Sequence, residues 1–180
     1  MNSTSIPAPY GIGFSPTGEG YLWLTPDAGL FSKLPERVEV FGTTLLRKTE
    51  FHTTLTSIRA AAASISGMSL SEAEERIVSV FRTHVAKHPI SFESFADDFR
   101  YVRDDARKRE SAIVRCRVNG LEELFAHYQK TLGVAVPIQP THVTIYTKEL
   151  NVGIGIDSVE EMEALQKVEL PEVRKALGLA

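Results

Sequence analysis

Apolar and polar residues alternate along much of this chain, and where alternation gives way to three- and four-residue spacing the sequence predicts helices. Tyr21–Thr25 (YLWLT) reads as a short strand closed by Pro26. The alternating, β-branched run from Arg37 to Leu46, followed by Lys48 to Thr56, reads as further strands. Ser69 opens an acidic first turn, Ile77, Val80 and Phe81 recur at helical spacing, and Pro89 lies beyond, which predicts a helix over about 70–87. Ile90–Phe95 and Phe99–Val102 read as two strands, and Ala112–Val118 as a third, with Val114, Cys116 and Val118 on one face. Asn119-Gly120 marks a turn into a helix over Leu121–Leu132, whose apolar face is Leu121, Leu124, Phe125 and Tyr128. Past Pro137 and Pro140 come a strand, His142–Thr147, a glycine-bearing stretch, Val152–Ile156, and a helix opening at Ser158 with Glu160 and Glu161.

Strands, helix, strands, helix, strand, helix is an α+β order and not a regular βαβ alternation. The simplest architecture is two similar lobes of antiparallel sheet plus helices around a central cleft. Residues 1–20, with Pro7, Pro9, Pro16 and four glycines, read as an irregular N-terminal segment, and residues 21–180 as a single two-lobed domain.

Composition narrows the function by exclusion. At 180 residues with 43% hydrophobic, the chain can bury a full core without staples. Its single cysteine, Cys116, excludes an internal disulfide framework and any CxxC motif; on a strand's apolar face it reads as a buried thiol. A net charge of −3 argues against a protein that coats DNA. No apolar run approaches the roughly 20 residues that cross a bilayer, and the start, MNSTSIPAPYGIGF, has neither the basic nor the apolar region of a secretory signal. A soluble cytoplasmic protein is expected.

The chemistry lies in a repeated triplet. Phe51-His52-Thr53-Thr54-Leu55 and Thr141-His142-Val143-Thr144-Ile145 each carry His-x-Thr within an expected strand. In a strand, positions i and i+2 share a face, so His52 goes with Thr54 and His142 with Thr144. The opposite faces carry Phe51 and Leu55, and Val143 and Ile145, as core. Taken singly, a histidine on an amphipathic strand reads as a half-buried polar residue. Five histidines and fourteen threonines give about 0.4 such triplets by chance, so a matched pair on two strands is the stronger signal. Two imidazoles with two hydroxyls suit a phosphodiester: one imidazole takes a proton from water, the other gives one to the leaving oxygen, and the hydroxyls hold the non-bridging oxygens. That scheme needs no metal and no cofactor.

FHTTL and THVTI resemble the two H-x-[T/S] motifs of the two-histidine (2H) phosphoesterase superfamily, which includes the 2′-5′ RNA ligase-like proteins and the 2′,3′-cyclic phosphodiesterases. The order strand, helix, second motif in AIVRCRVNGLEELFAHYQKTLG…QPTHVTIYT is similar to that family as well, and the likeness covers roughly residues 20–160. The resemblance implies two pseudo-symmetric lobes and hydrolysis of a 2′,3′-cyclic phosphate on an RNA end or nucleotide, with His52, Thr54, His142 and Thr144 as the catalytic residues. Thr53 departs from the family's usual apolar middle residue, at a position that bears on packing. Continued alternation puts Tyr146 on the face of His142, where it would stack on a base. The alternative is a non-catalytic RNA- or nucleotide-binding module of the same fold.

Other features weigh less. His84 and His88, four apart at a helix end, have no evident third ligand and read as a solvated helix terminus. Seven basic residues between Arg100 and Arg117 are interleaved with Asp97, Asp98, Asp104, Asp105 and Glu110 and read as a solvated hairpin. Gly153 and Gly155 fit neither dinucleotide nor P-loop spacing. Neither a membrane nor DNA is an expected partner.

Overall fold

The computed structural model describes residues 6–14 and 20–179. In chain order its elements are β1 (Tyr10–Phe14), β2 (Gly20–Leu24), a 3-10 turn (Ala28–Phe31), β3 (Arg37–Val40), β4 (Thr43–Arg47), β5 (Thr53–Ser57), α1 (Ile58–Ala63), α2 (Leu70–Val85), β6 (Ser91–Asp104), β7 (Arg109–Asn119), α3 (Leu121–Leu132), β8 (His142–Thr147), α4 (Val159–Ala164), β9 (Gln166–Lys167) and α5 (Pro171–Ala176). The fold is α+β with antiparallel strand pairing, as expected. None of the helices among the described residues is long and apolar enough to cross a membrane.

The chain forms two compact units, each assembled from separate stretches. The first comprises the described residues up to Thr25 with Thr54–Phe92 and Val118–Gln139; the second comprises Pro26–Thr53, Glu93–Arg117 and the chain from Pro140 onward.

In the first unit, the segment expected to be irregular contains β1, which pairs antiparallel with β2 and sets Gly11 opposite Trp23. Glycine is required there: a Cβ on Gly11 or Gly13 would lie 2.4 or 2.3 Å from the Trp23 ring, so the indole lies over a strand face that carries no side chains at Gly11 and Gly13. Pro16, Gly18 and the first five residues lie outside the described residues. Ser57 caps α1, which occupies the alanine cluster and buries Ala61 and Ala62. Ser69 and Glu72 close a capping box on α2, whose buried face includes Ile77, Val80 and Phe81. Together with Leu124, Phe125 and Tyr128 of α3 these form one core with Leu22, Leu24 and Leu55. At roughly 25 cal/mol per Å² of apolar surface, burial on this scale is the main stabilising term.

In the second unit the strand order is β3-β4-β8-β7-β6-β9. β3 and β4 turn through Phe41 and Gly42, both left-handed at φ 49° and 80°. The two strands expected over Ile90–Phe95 and Phe99–Val102 are one continuous strand, β6. The polar residues between them are not a break, because Asp98 takes Arg100 Nε at 2.6 Å and Arg115 at 3.3 Å, and Asp97 takes Arg174 at 2.5 Å. Arg100 is almost wholly buried and also meets Glu163 at 3.2 Å. These pairs absorb part of the basic run, so Arg100 is a buried strut and not a solvated residue of a hairpin.

Val102, Ile113, Ile156 and Met162 form a small core in this unit, and Phe31 stacks on Phe51 at 3.9 Å between ring centroids. Cys116 is buried, as expected, against Thr53, and burial pushes its thiol up to about 11.

Candidate functional site

His52 lies in the second unit, immediately before β5, and His142 opens β8 in the same unit. The lobed architecture assigns one histidine to each lobe; here both fall in one compact unit. β5 and β8 pair directly and antiparallel, with Thr53 opposite Val143. One step along that ladder brings His52 opposite Thr144, on the reverse face from Thr53 and Val143. His142 is then the diagonal neighbour of His52, which in an antiparallel pair means a backbone separation of about 7–8 Å. Thr53, Val143 and Ile145 are fully buried and His142 is buried, whereas His52 and Thr144 are half-buried. Thr54, also half-buried, begins the first unit's segment Thr54–Phe92.

Three contacts fix the start of β8. Cys116 N–H donates to Thr141 O at 3.1 Å, and Thr141 Oγ1 donates to Cys116 O at 2.7 Å. His142 Nδ1 lies 2.9 Å from Pro140 O. A carbonyl oxygen only accepts, so Nδ1 carries the hydrogen and Nε2 keeps its lone pair.

A residue that the sequence did not mark is buried on the stretch just before His52. Lys48 is 5% exposed, and its backbone N–H donates to Ile145 O at 3.0 Å, seating it beside β8. The segment from Lys48 to His52, expected as strand, instead bends between β4 and β5. Thr49, next along it, donates its N–H to Asn151 Oδ1 at 3.0 Å and accepts from Asn151 Nδ2 at 2.8 Å. That clasp holds the glycine-bearing loop, and Gly153 lies so close that a Cβ there would sit 3.6 Å from Thr144 Oγ1.

The charges in this cluster oppose one another. Burial first, then the Lys48 ammonium and the His142 ring, push His52 down to about 4. Burial also lowers His142, against the Pro140 carbonyl and Glu161, with Lys48 adding to the lowering. Lys48 itself is lowered by burial, opposed by Glu50. At neutral pH both rings are therefore neutral.

Tyr146 does not join them. Between β7 and β8 the register slips by one residue: Ala112 faces Tyr146 while Ile113 faces Thr144, leaving Ile145 as the extra residue of a bulge. A bulge breaks the two-residue alternation on which the placement of Tyr146 beside His142 rested. Tyr146 is wholly buried, its hydroxyl donates to Pro35 O at 2.9 Å, and burial raises its phenol above the ordinary value. No ring surface is left for a base, so the expected stacking contact is corrected.

His84 is also not the solvated residue expected. It is 3% exposed, its ring lies 5.3 Å from those of both His88 and His127, and neither of its nitrogens has a hydrogen-bond partner. Among the described residues, no group of three or more His, Cys, Asp or Glu side chains is arranged to hold a metal ion. A surface cavity of about 540 Å³ in the second unit, walled in part by Phe41, Tyr101, Arg103 and Glu110, includes none of the paired histidines and threonines.

No family model matches the chain, and no curated protein and no solved structure matches it either.

Proposed function

We propose that this protein is a phosphodiesterase of the two-histidine type, hydrolysing 2′,3′-cyclic phosphates on RNA ends or nucleotides with one imidazole as general base and the other as general acid. The observation that carries the proposal is the direct antiparallel pairing of the two His-x-Thr segments, Thr53 opposite Val143, which sets His52 beside Thr144 and diagonal to His142.

In the step proposed, one histidine accepts a proton from water as the water oxygen attacks phosphorus. The P–O bond to the 2′ or 3′ oxygen breaks, and the other histidine delivers a proton to that leaving oxygen. One proton is taken and one given, so the pair ends with its roles exchanged and resets through solvent. Thr144, and Thr54 two residues beyond His52, would donate to the non-bridging oxygens as charge builds on them. No step requires a metal or a cofactor.

A second reading has an observation of its own. Both rings are held below the ordinary histidine value, so neither carries a proton to give at neutral pH in the protein by itself. A non-catalytic module that binds RNA or a nucleotide would need nothing more. Following 31P spectra of the four 2′,3′-cyclic mononucleotides with the protein in EDTA separates the two. Conversion to a monophosphate supports the phosphodiesterase; binding without conversion supports the module and removes the proposed activity.

A further inference from the structure

The turn between β3 and β4 consists of Phe41 and Gly42, with Val40 paired to Thr43 across it. A two-residue turn with both residues left-handed suits Asn-Gly or Gly-Gly, and a bulky side chain in that conformation is disfavoured. Phe41 nevertheless holds it, at φ 49°. Burial does not offset the strain, because Phe41 is 59% exposed, more than any other large hydrophobic residue among those described. Backbone fit and core packing both argue for a different residue here, and outliers of this kind gather at functional sites.

The Phe41 ring stands edge-to-face with Tyr101, 5.2 Å between centroids, and the two form the aromatic wall of the surface cavity of about 540 Å³. Tyr101 is itself buried, so Phe41 is the ring that reaches solvent. Leu165, at the end of α4, adds apolar lining, and Arg103 and Gln166 add polar lining. The Arg103 guanidinium meets Asp105 through Nε and is mostly exposed, and Gln166 is exposed on the edge strand β9. Glu110 also lines the cavity, but hydrogen bonds from Lys148, Tyr101 and Thr43 engage its carboxyl and hold it at about 2. All of these residues belong to the second unit. Together they offer an exposed aromatic ring, a cation, and an amide that both gives and accepts hydrogen bonds. A nucleobase with its phosphate is recognised by that set of groups.

We propose that this cavity binds a base of single-stranded RNA, stacked on Phe41, with Gln166 at the base edge and Arg103 at a phosphate of the same strand. The choice of RNA as ligand rests on the phosphodiesterase reading. The stacking role that alternation gave to Tyr146, whose ring is buried, falls instead to a ring open to solvent. The cavity is also set apart from the histidines. His142 opens β8 and Lys148, which holds Glu110, follows its end, so six residues of strand, about 20 Å, run between them. A lone cyclic nucleotide at the histidines does not reach that far; a longer strand does.

The test measures binding of a short single-stranded oligoribonucleotide with an ordinary 3′-hydroxyl end, by fluorescence anisotropy. The full chain is compared with its Phe41→Asn, Phe41→Tyr and Arg103→Gln variants. Asparagine suits the turn, so Phe41→Asn should unfold at a urea midpoint equal to or above that of the wild type. Its RNA affinity should nevertheless fall by about tenfold or more, the scale of a lost base–aromatic stack. Phe41→Tyr keeps the ring and should keep affinity within about threefold. Arg103→Gln should weaken binding and flatten its dependence on salt, as the loss of one phosphate contact does. Equal affinity in wild type and Phe41→Asn overturns the proposal, and so does a wild type that does not bind the RNA. A Phe41→Asn protein markedly less stable than wild type makes the ring structural and overturns it as well. An unchanged salt dependence in Arg103→Gln overturns the phosphate contact. Phe41-dependent RNA binding with no turnover of cyclic phosphates removes the phosphodiesterase reading and leaves the base site. Turnover of cyclic nucleotides without RNA binding does the reverse.

Discussion

Pro140 and His142 fix one another's roles across a single hydrogen bond. The proline carbonyl, 2.9 Å from Nδ1, can only accept, so the imidazole carries its hydrogen on Nδ1 and presents Nε2 as a lone pair. The pair sits where the Cys116–Thr141 hydrogen bonds anchor the entry to β8, so the ring is oriented by backbone. We predict that 15N spectra at neutral pH show His142 as the Nδ1–H tautomer; a ring protonated on Nε2 would contradict the arrangement.

The pH dependence follows from both rings being held low. With His52 at about 4 and His142 below its ordinary value, the two titrate as a coupled pair. The proposed reaction needs one ring protonated and one neutral, and that form is most populated between the two macroscopic values. Above the higher value both rings lose their protons; below the lower, both are charged and no base remains. The bell for kcat/KM should therefore peak on the acid side of about 6.5, the unperturbed histidine value. A plateau extending from pH 7 to 9 would rule this assignment out.

The helices and the site differ in how far the sequence discloses them. α2 and α3 are legible because their apolar residues recur at helical spacing and their ends carry the Ser69 capping box and Gly133. β8 coincides with its expected bounds because Val143 and Ile145 alternate with polar neighbours. β1 is hidden by its glycines, whose reason for being there is a Trp23 ring on another strand. The histidines and threonines announce themselves as a repeat, and direct pairing of β5 with β8 brings His52, Thr144 and His142 together. Lys48 gives no such signal, since its burial depends on a bend in a stretch that alternates like a strand. The bulge at Ile145 is equally silent, and it displaced Tyr146 from the face that simple alternation assigns.

The clasp between Thr49 and Asn151 should matter to both stability and rate. Asn151→Ala removes two hydrogen bonds and places alanine at φ 64°, a left-handed conformation that suits Asn or Gly. A loss of about 1–2 kcal/mol in chemical unfolding is expected. Asn151→Gly loses the clasp but not the backbone fit and should cost less. In both, kcat/KM should fall by about tenfold as the loop over Thr144 loosens. Unchanged stability in Asn151→Ala would show that the clasp does not hold.

His84 should make the protein sensitive to acid. Burial first, with His127 and His88 beside it and Glu123 opposing, lowers its folded value below the ordinary histidine value. The unfolded chain then binds a proton more readily than the folded one, so stability is full well above about 6.5 and declines as pH falls through that value. His84→Phe, if accommodated, should lessen that decline between pH 7 and 5 in urea melts. An identical pH dependence in a folded His84→Phe would assign the acid sensitivity to other groups.

The central claim is tested most directly by kcat/KM on a 2′,3′-cyclic nucleotide for wild type, His52→Ala and His142→Ala, each verified as folded. The account predicts measurable wild-type turnover, insensitive to EDTA, and a loss of at least about 100-fold in each single variant, the usual worth of a general acid or base. A folded variant of either histidine that turns over at the wild-type rate would contradict it.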